Sequence, residues 1–152
     1  MNILIMGAGK IGSAIAYALH EKQLTIDYWD IVPGKVKDQR PLEEVVPHAD
    51  VVFLCTPSWS IREATSMIKP LLKPKAVIVS PSKGLEQKTG LRTDEIFKES
   101  LPEQPCALLL GSMLADEILN GGFGIGALAC ANKAATDTLV ELFKDSLIRM
   151  HP

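Results

Sequence analysis

The run Gly7-Ala8-Gly9-Lys10-Ile11-Gly12, entered directly from the apolar stretch Asn2-Ile3-Leu4-Ile5-Met6, constrains this chain more than any other feature. The apolar stretch reads as a buried strand. Ile11, Ala14, Ile15, Ala18 and Leu19 recur at helical spacing, which puts the glycines in a strand-to-helix turn. In such a turn Gly7 permits the tight bend and Gly9 leaves the backbone open to a pyrophosphate. Gly12 lets the helix lie close against the strand. Unpaired N–H groups at the helix start, with its positive dipole end, then face the phosphates.

A downstream acid strengthens this reading. Thr25-Ile26-Asp27-Tyr28-Trp29 forms a second strand pattern, and Asp30 stands at its end. A carboxylate there accepts hydrogen bonds from the adenosine ribose hydroxyls and repels a 2′-phosphate, so NAD is the expected cofactor. Asp also commonly opens a turn such as Pro33-Gly34; the glycine loop upstream favours the cofactor role. Lys35, Lys37 and Arg40 follow in the same loop and offer a 2′-phosphate three cations.

A chain of 152 residues, 47% hydrophobic and 22% charged, has the length and composition of one globular domain. Its net charge of −2, with both signs interspersed, gives no electrostatic case for nucleic acid or an anionic membrane. No apolar run reaches membrane-spanning length, and no signal-peptide pattern precedes the first strand. Cys55, Cys106 and Cys130 lie far apart in apolar surroundings, as expected of reduced core thiols in a cytoplasmic protein.

Strand and helix patterns alternate to the end. Val51–Cys55, Ala76–Val79, Cys106–Leu110, Gly124–Cys130 and Leu147–Met150 read as further strands. Helical patterns cover about Ser60–Leu72, with Pro70 ending or distorting the last turns, then Thr93–Leu101 and Ala115–Leu119. A last helix follows an Asn132 N-cap, with Ala135, Leu139, Leu142 and Phe143 on one face. Such alternation implies an α/β fold, a doubly wound and mostly parallel sheet of Rossmann type joined by right-handed crossovers. Residues 1–152 form one dinucleotide-binding domain in this reading. Gly7, Asp30, Thr56, Lys83 and Gly111 all follow strands, so they should converge on the sheet's carboxyl edge.

Other constellations carry less. His20, His48 and His151 have no partners at metal-ligand spacing, so no metal is expected. His20 reads as a helix C-terminal residue and His48 as part of a polar turn. Ser80, Ser82 and Ser112 lack His–Asp support for hydrolase chemistry. Glu43-Glu44 reads as a solvated helix face, and Trp29 and Trp59 as packing residues that can also stack on an adenine.

Two further segments are more specific than the glycine loop: Ser80-Pro81-Ser82-Lys83-Gly84-Leu85-Glu86 with Lys88-Thr89-Gly90, and Leu110-Gly111-Ser112-Met113-Leu114-Ala115-Asp116-Glu117-Ile118. Together with Gly7–Gly12, Trp29 and Cys55-Thr56-Pro57-Ser58, they make essentially the whole chain resemble the N-terminal domain of NAD(P)-dependent glycerol-3-phosphate dehydrogenases. That family interconverts dihydroxyacetone phosphate and sn-glycerol 3-phosphate by hydride transfer with the nicotinamide.

The resemblance implies that Ala8, Lys10 and Ile11 join the glycines at the pyrophosphate, with Ile31 near the adenosine. It adds Pro57 and Ala115 to the cofactor set, puts Lys83 beside both cofactor and substrate, and lets Gly111 touch substrate. A lysine ammonium suits that task, since it neutralises a phosphate or polarises a carbonyl. The expected partner molecule is a small phosphorylated substrate.

The chain also departs from the family pattern. Met113 replaces a substrate-binding hydroxyl, with core packing its favoured role. Asp30 stands where the family commonly has a small residue, which shifts the expectation toward NAD. The family's catalytic lysine, in a Lys-Asn pair, lies in a helical C-terminal domain, and no such pair occurs here; Asn132-Lys133 is reversed. The reading is therefore a cofactor domain, inactive alone, whose helical catalytic domain is absent from these residues. Its uncovered apolar surface should meet a separate helical domain or a second copy in a homodimer. The alternatives are a non-catalytic dinucleotide-binding regulatory module and the cofactor domain of another hydroxyacid or phosphosugar dehydrogenase.

Overall fold

The computed structural model describes residues 1–151. Its first strand, β1 (Asn2–Met6), feeds α1 (Lys10–Ala18) and returns through β2 (Thr25–Trp29). Then come α2 (Leu42–Val45), β3 (Val51–Leu54), α3 (Ile61–Ile68), β4 (Val77–Ser80), α4 (Thr93–Ser100) and β5 (Cys106–Ser112). The chain continues through α5 (Ala115–Leu119), β6 (Gly124–Cys130), α6 (Lys133–Phe143) and β7 (Ile148–His151). All seven strands form one sheet in the order β2-β1-β3-β4-β5-β6-β7. The order reverses at β1: one crossover goes to β2, and the next returns to β3 on the other side. The crevice above the carboxyl ends of β1 and β3 is therefore the natural ligand position.

Helices on both faces explain why the central strands read as unbroken apolar runs. Ile3, Ile5, Val51, Phe53, Val79 and Leu109 point to the face covered by α1, α5 and α6. Leu4, Met6, Val52, Leu54 and Ile78 point to the face covered by α2, α3 and α4. Phe53 and Phe143 meet edge to face, with ring centroids 6.0 Å apart, and join the central sheet to α6. Asn132 caps α6 as its sequence position implies, its side chain accepting the Ala135 N–H at 3.0 Å. At Pro70 α3 has already given way to a single 3-10 turn, Lys69–Leu71.

The expectation of parallel pairing holds for β1 to β5 and fails at the next strand. β5 and β6 are antiparallel, with Leu108 opposite Ala129 and Gly111 opposite Gly126, and β7 then pairs parallel to β6. A parallel crossover needs a dozen or more residues, usually a full helix. Between Ser112 and Gly124 the chain has only the five-residue α5 and short turns, so it doubles back. Helices α2 to α4 do not extend over β6, and Ile125, Ala127 and Ala129 are exposed on that face. Glu43 and Glu44 are solvated on α2 while Leu42 and Val45 face inward. No helix among the described residues is long and apolar enough to cross a membrane.

Candidate functional site

Each glycine of the loop has its own reason to be glycine. Gly7 adopts φ +101°, and a Cβ there would lie 2.5 Å from the Cys55 carbonyl oxygen. Its N–H donates to the Trp29 carbonyl at 2.8 Å, which ties the loop to β2. A Cβ on Gly12 would lie 2.2 Å from the Gly7 carbonyl oxygen and 3.0 Å from Ile5 Cγ2. Gly9 differs. It is the N-cap of α1 with φ −87°, a value open to any residue, and nothing stands within 4 Å of its Cβ position. The space in front of Gly9 is thus empty of protein, while the first N–H groups of the nine-residue α1 lack intrahelical partners. This is a cradle that a side chain would fill.

Asp30 is buried and already engaged by the chain. Its Oδ2 accepts the Ala8 N–H at 2.8 Å, and its Oδ1 accepts the Val32 N–H at 3.0 Å. Lys35 Nζ lies 2.9 Å from Oδ2, and the Gln39 side-chain amide clamps the Asp30 backbone at both N–H and C=O. Burial pushes the Asp30 carboxyl up, but the Val32 N–H, the Lys35 ammonium and the Ala8 N–H outweigh it and hold it below the ordinary carboxylate value. The acid therefore links β2 to the glycine loop. Beside it Ile31 is 63% exposed, an apolar side chain left without cover at the loop's outer side. Arg40, by contrast, turns back to Asp27, with both carboxylate oxygens at 2.7 Å.

The segment carrying Lys83 is anchored along its length. Ser80 Oγ donates to the Leu54 carbonyl at 3.2 Å and accepts the Ser82 N–H at 3.1 Å. Ser82 Oγ donates to the Thr56 carbonyl, and Ser58 Oγ to the Leu85 carbonyl at 3.3 Å. Gly84 takes φ +116° beside Ser58, where a Cβ would sit 3.1 Å from the hydroxyl oxygen. The buried Glu86 receives Arg62 Nε at 2.8 Å, Arg62 Nη2 at 2.9 Å and Thr89 Oγ1 at 2.5 Å. The Arg62 guanidinium, then Thr89, holds the Glu86 carboxyl down at about 2. Lys83 itself reaches over the end of β5, with Nζ 3.0 Å from the Gly111 carbonyl oxygen.

The expected residues do meet at one edge. Ala8 contacts Asp30, Gly7 abuts Cys55, Lys83 reaches Gly111, and Lys10 Nζ pairs with Asp116 Oδ2 at 2.8 Å. That last pair brings α5, and Ala115 at its start, beside the glycine loop. Pro57 is exposed just after β3, and the adjacent Thr56 Oγ1 is buried without a hydrogen-bond partner.

Ile11 packs a half-buried side chain against the core. Gly111 is required by the sheet: at φ +114° its Cβ would lie 2.3 Å from the Ile125 carbonyl oxygen. Met113 is half-buried against the core, the packing role expected of it. Trp29 packs half-buried, whereas Trp59 is 62% exposed. The Arg62–Glu86 and Lys10–Asp116 pairs had no signal in local spacing, since their partners are far apart in the chain.

An open groove of about 1260 Å³ lies at the opposite edge, by the start of β5 and the end of β6. It contains none of these residues. Cys106, on its wall, is a free thiol pushed up to about 12 by burial and then by nearby Cys130. Burial likewise pushes the free Cys55 thiol far up, so neither is a nucleophile.

Among solved structures, glycerol-3-phosphate dehydrogenase from Coxiella burnetii matches 99% of this chain and 53% of its own, with TM-score 0.86 at 23% identity. An NADP-bound pyrroline carboxylate reductase from Plasmodium falciparum shares the fold over 99% of this chain and 56% of its own, with TM-score 0.77 at 17% identity. In sequence, a glycerol-3-phosphate dehydrogenase [NAD(P)+] from Clostridium tetani is 30% identical over 139 residues, which cover 77% of this chain and 40% of that protein. A second, from Sphingopyxis alaskensis, is 33% identical over 173 residues, covering 99% of this chain and 52% of that protein. The chain spans about half the length of the curated relatives it matches.

The family model described as NAD-dependent glycerol-3-phosphate dehydrogenase N-terminus matches residues 30–136. That match begins at Asp30, beyond the glycine loop, so it does not rest on the general dinucleotide fingerprint. On this match and these relatives, the chain belongs to the N-terminal, NAD-binding domain family of glycerol-3-phosphate dehydrogenases.

Proposed function

We propose that these residues bind NAD(H) across the carboxyl ends of β1, β2 and β3 and present its nicotinamide beside Lys83. In that setting they serve hydride transfer between dihydroxyacetone phosphate and sn-glycerol 3-phosphate. The observation that carries this reading is the open cradle at Gly9, set between two glycines that the fold itself requires. The first-turn N–H groups of α1 hold the pyrophosphate, aided by the dipole of that helix. Thr56 Oγ1, buried and unpartnered, supplies a hydroxyl for a further polar contact.

Bound NADH supplies the hydride. Lys83 Nζ, held near the Gly111 carbonyl, neutralises the substrate phosphate or polarises the carbonyl that accepts the hydride. These residues place no second proton donor in a Lys-Asn context, so they bind cofactor without completing the reaction by themselves. Positioned acid–base catalysis contributes about 10²–10⁴-fold, and exclusion of water adds to it.

Isothermal titration of the purified chain with NADH tests the binding, and NADH oxidation with dihydroxyacetone phosphate tests the chemistry. The expected result is saturable NADH binding with no measurable turnover, and Lys83→Ala that leaves NADH affinity nearly unchanged. An absence of NADH binding refutes the cofactor site. Robust turnover refutes the need for further catalytic residues and assigns the proton donor to this chain.

A further inference from the structure

β2 is an edge strand, with no strand beyond it to take its outward N–H and C=O groups. Trp29 gives its carbonyl to Gly7, on the β1 side. Asp30, the next residue, finds its backbone partners in a side chain. Gln39 Oε1 accepts the Asp30 N–H at 2.8 Å, and Gln39 Nε2 donates to the Asp30 carbonyl at 3.1 Å. One amide thus supplies both bonds that a residue in a neighbouring antiparallel strand would exchange. Asp38 turns the chain into this contact at φ +52°, a left-handed value that Asp adopts more readily than most residues. Arg40 holds the same returning segment to Asp27, through two contacts of 2.7 Å. The two fastenings act at different places. Arg40 grips a side chain before the end of β2, whereas Gln39 grips the backbone of the residue whose carboxylate accepts the Ala8 and Val32 N–H groups.

We propose that Gln39 is a positioning residue for the adenosine end of the dinucleotide, acting through the backbone of Asp30. This rests on the dinucleotide site proposed above. The Asp30 N–H belongs to the peptide unit that joins it to Trp29, and the Asp30 carbonyl to the unit that joins it to Ile31. Peptide units are planar, so one amide bonded to both fixes the orientation of the chain on either side of Asp30. On one side this keeps the carboxylate aimed at the Ala8 N–H of the glycine loop. On the other it sets the direction in which the exposed Ile31 leaves the sheet. Without Gln39 the segment after β2 keeps more freedom in the unliganded chain, and that freedom is then lost on binding, at the expense of affinity. Gln39 needs no contact with the ligand to have this effect.

The test is titration of wild type, Gln39→Met and Arg40→Met with NADH and with ADP-ribose, each well below its melting temperature, where lost stability alone does not move an affinity. Gln39→Met keeps the length of the side chain and removes both hydrogen bonds. It should lose about three- to tenfold in affinity, by the same factor for both ligands, because the ADP portion is what they share. Arg40→Met should stay within about twofold of wild type for both. Amide hydrogen exchange of the ligand-free chains reads the contact itself: the Asp30 N–H should exchange faster in Gln39→Met and at the wild-type rate in Arg40→Met. Unchanged affinity or unchanged Asp30 exchange in Gln39→Met overturns the proposal, as does an equal loss of affinity in Arg40→Met or a loss confined to NADH. Wild type that binds NADH and not ADP-ribose overturns it as well. Failure of both ligands to bind wild type overturns the underlying cofactor site, and this proposal with it.

Discussion

Lys10 and Asp116 form an ion pair across the mouth of the glycine loop, Nζ to Oδ2 at 2.8 Å, joining the first residue of α1 to α5. Both side chains are mostly exposed, so the pair adds little to stability. Its interest lies in competition: a pyrophosphate at the helix start and the Asp116 carboxylate seek the same ammonium.

Replacing Asp116 with Asn should therefore tighten NADH binding by about two- to threefold while moving the melting temperature very little. The gain should shrink as salt rises, since exposed charges are screened over about 8 Å at physiological ionic strength. Titration at low and high salt checks this, and weaker binding in the variant would show that Asp116 helps to hold the cofactor.

The two kinds of glycine in the loop predict opposite phenotypes. Gly9→Val puts its side chain where nothing stands within 4 Å, so folding should be intact and NADH binding lost. Gly12→Ala drives a Cβ to 2.2 Å from the Gly7 carbonyl oxygen and should destabilise the fold by about 3 kcal/mol. A melting temperature lowered by roughly 10 °C in the second variant and unchanged in the first is the expected pattern.

Asp30→Ala leaves the Ala8 and Val32 N–H groups without their acceptor and frees Lys35. Lost stability of about 1–3 kcal/mol is expected from these unpaired groups. NADH affinity should fall more than NADPH affinity, because Lys35 is then wholly available to a 2′-phosphate. Parallel denaturation and binding curves separate the two effects. An unaltered NADH-to-NADPH ratio would remove Asp30 from the adenosine end of the site.

Acid titration should reveal the Arg62–Glu86 pair. In the folded chain Glu86 is held at about 2, below the ordinary glutamate value of about 4.3. A lowered folded-state value means that the stabilisation is fully present above about pH 4.3 and is lost as pH falls through about 2. Glu86→Gln should therefore melt below wild type at neutral pH, and the gap should close between about pH 4.3 and 2. A gap constant across that range would mean that the charge on Glu86 does not hold the Lys83 segment in place.

Most strands and helices were legible because their signals are local. The Ile3–Met6 run, the Asn132 cap and Pro70 each act within a few residues, and each behaves as its neighbourhood dictates. The direction of β6 was not legible from its own residues. Gly124–Cys130 has the same strand pattern in either direction, and the outcome depends on the short chain between Ser112 and Gly124. Asp30 was correctly placed at the end of β2, yet its hydrogen bonds to Ala8 and Val32 arise only when the loop folds around it. The same holds for Glu86: its motif was visible, whereas Arg62, on α3, had no spacing to betray it.

Gly9 separates two selective pressures that usually act together. Gly7 and Gly12 touch the protein's own backbone, so mutation at either would be purged wherever this fold must persist, whether or not it binds anything. Position 9 carries no such internal obligation. In a lineage that had abandoned its dinucleotide, that position would be free to drift while its two neighbours stayed fixed.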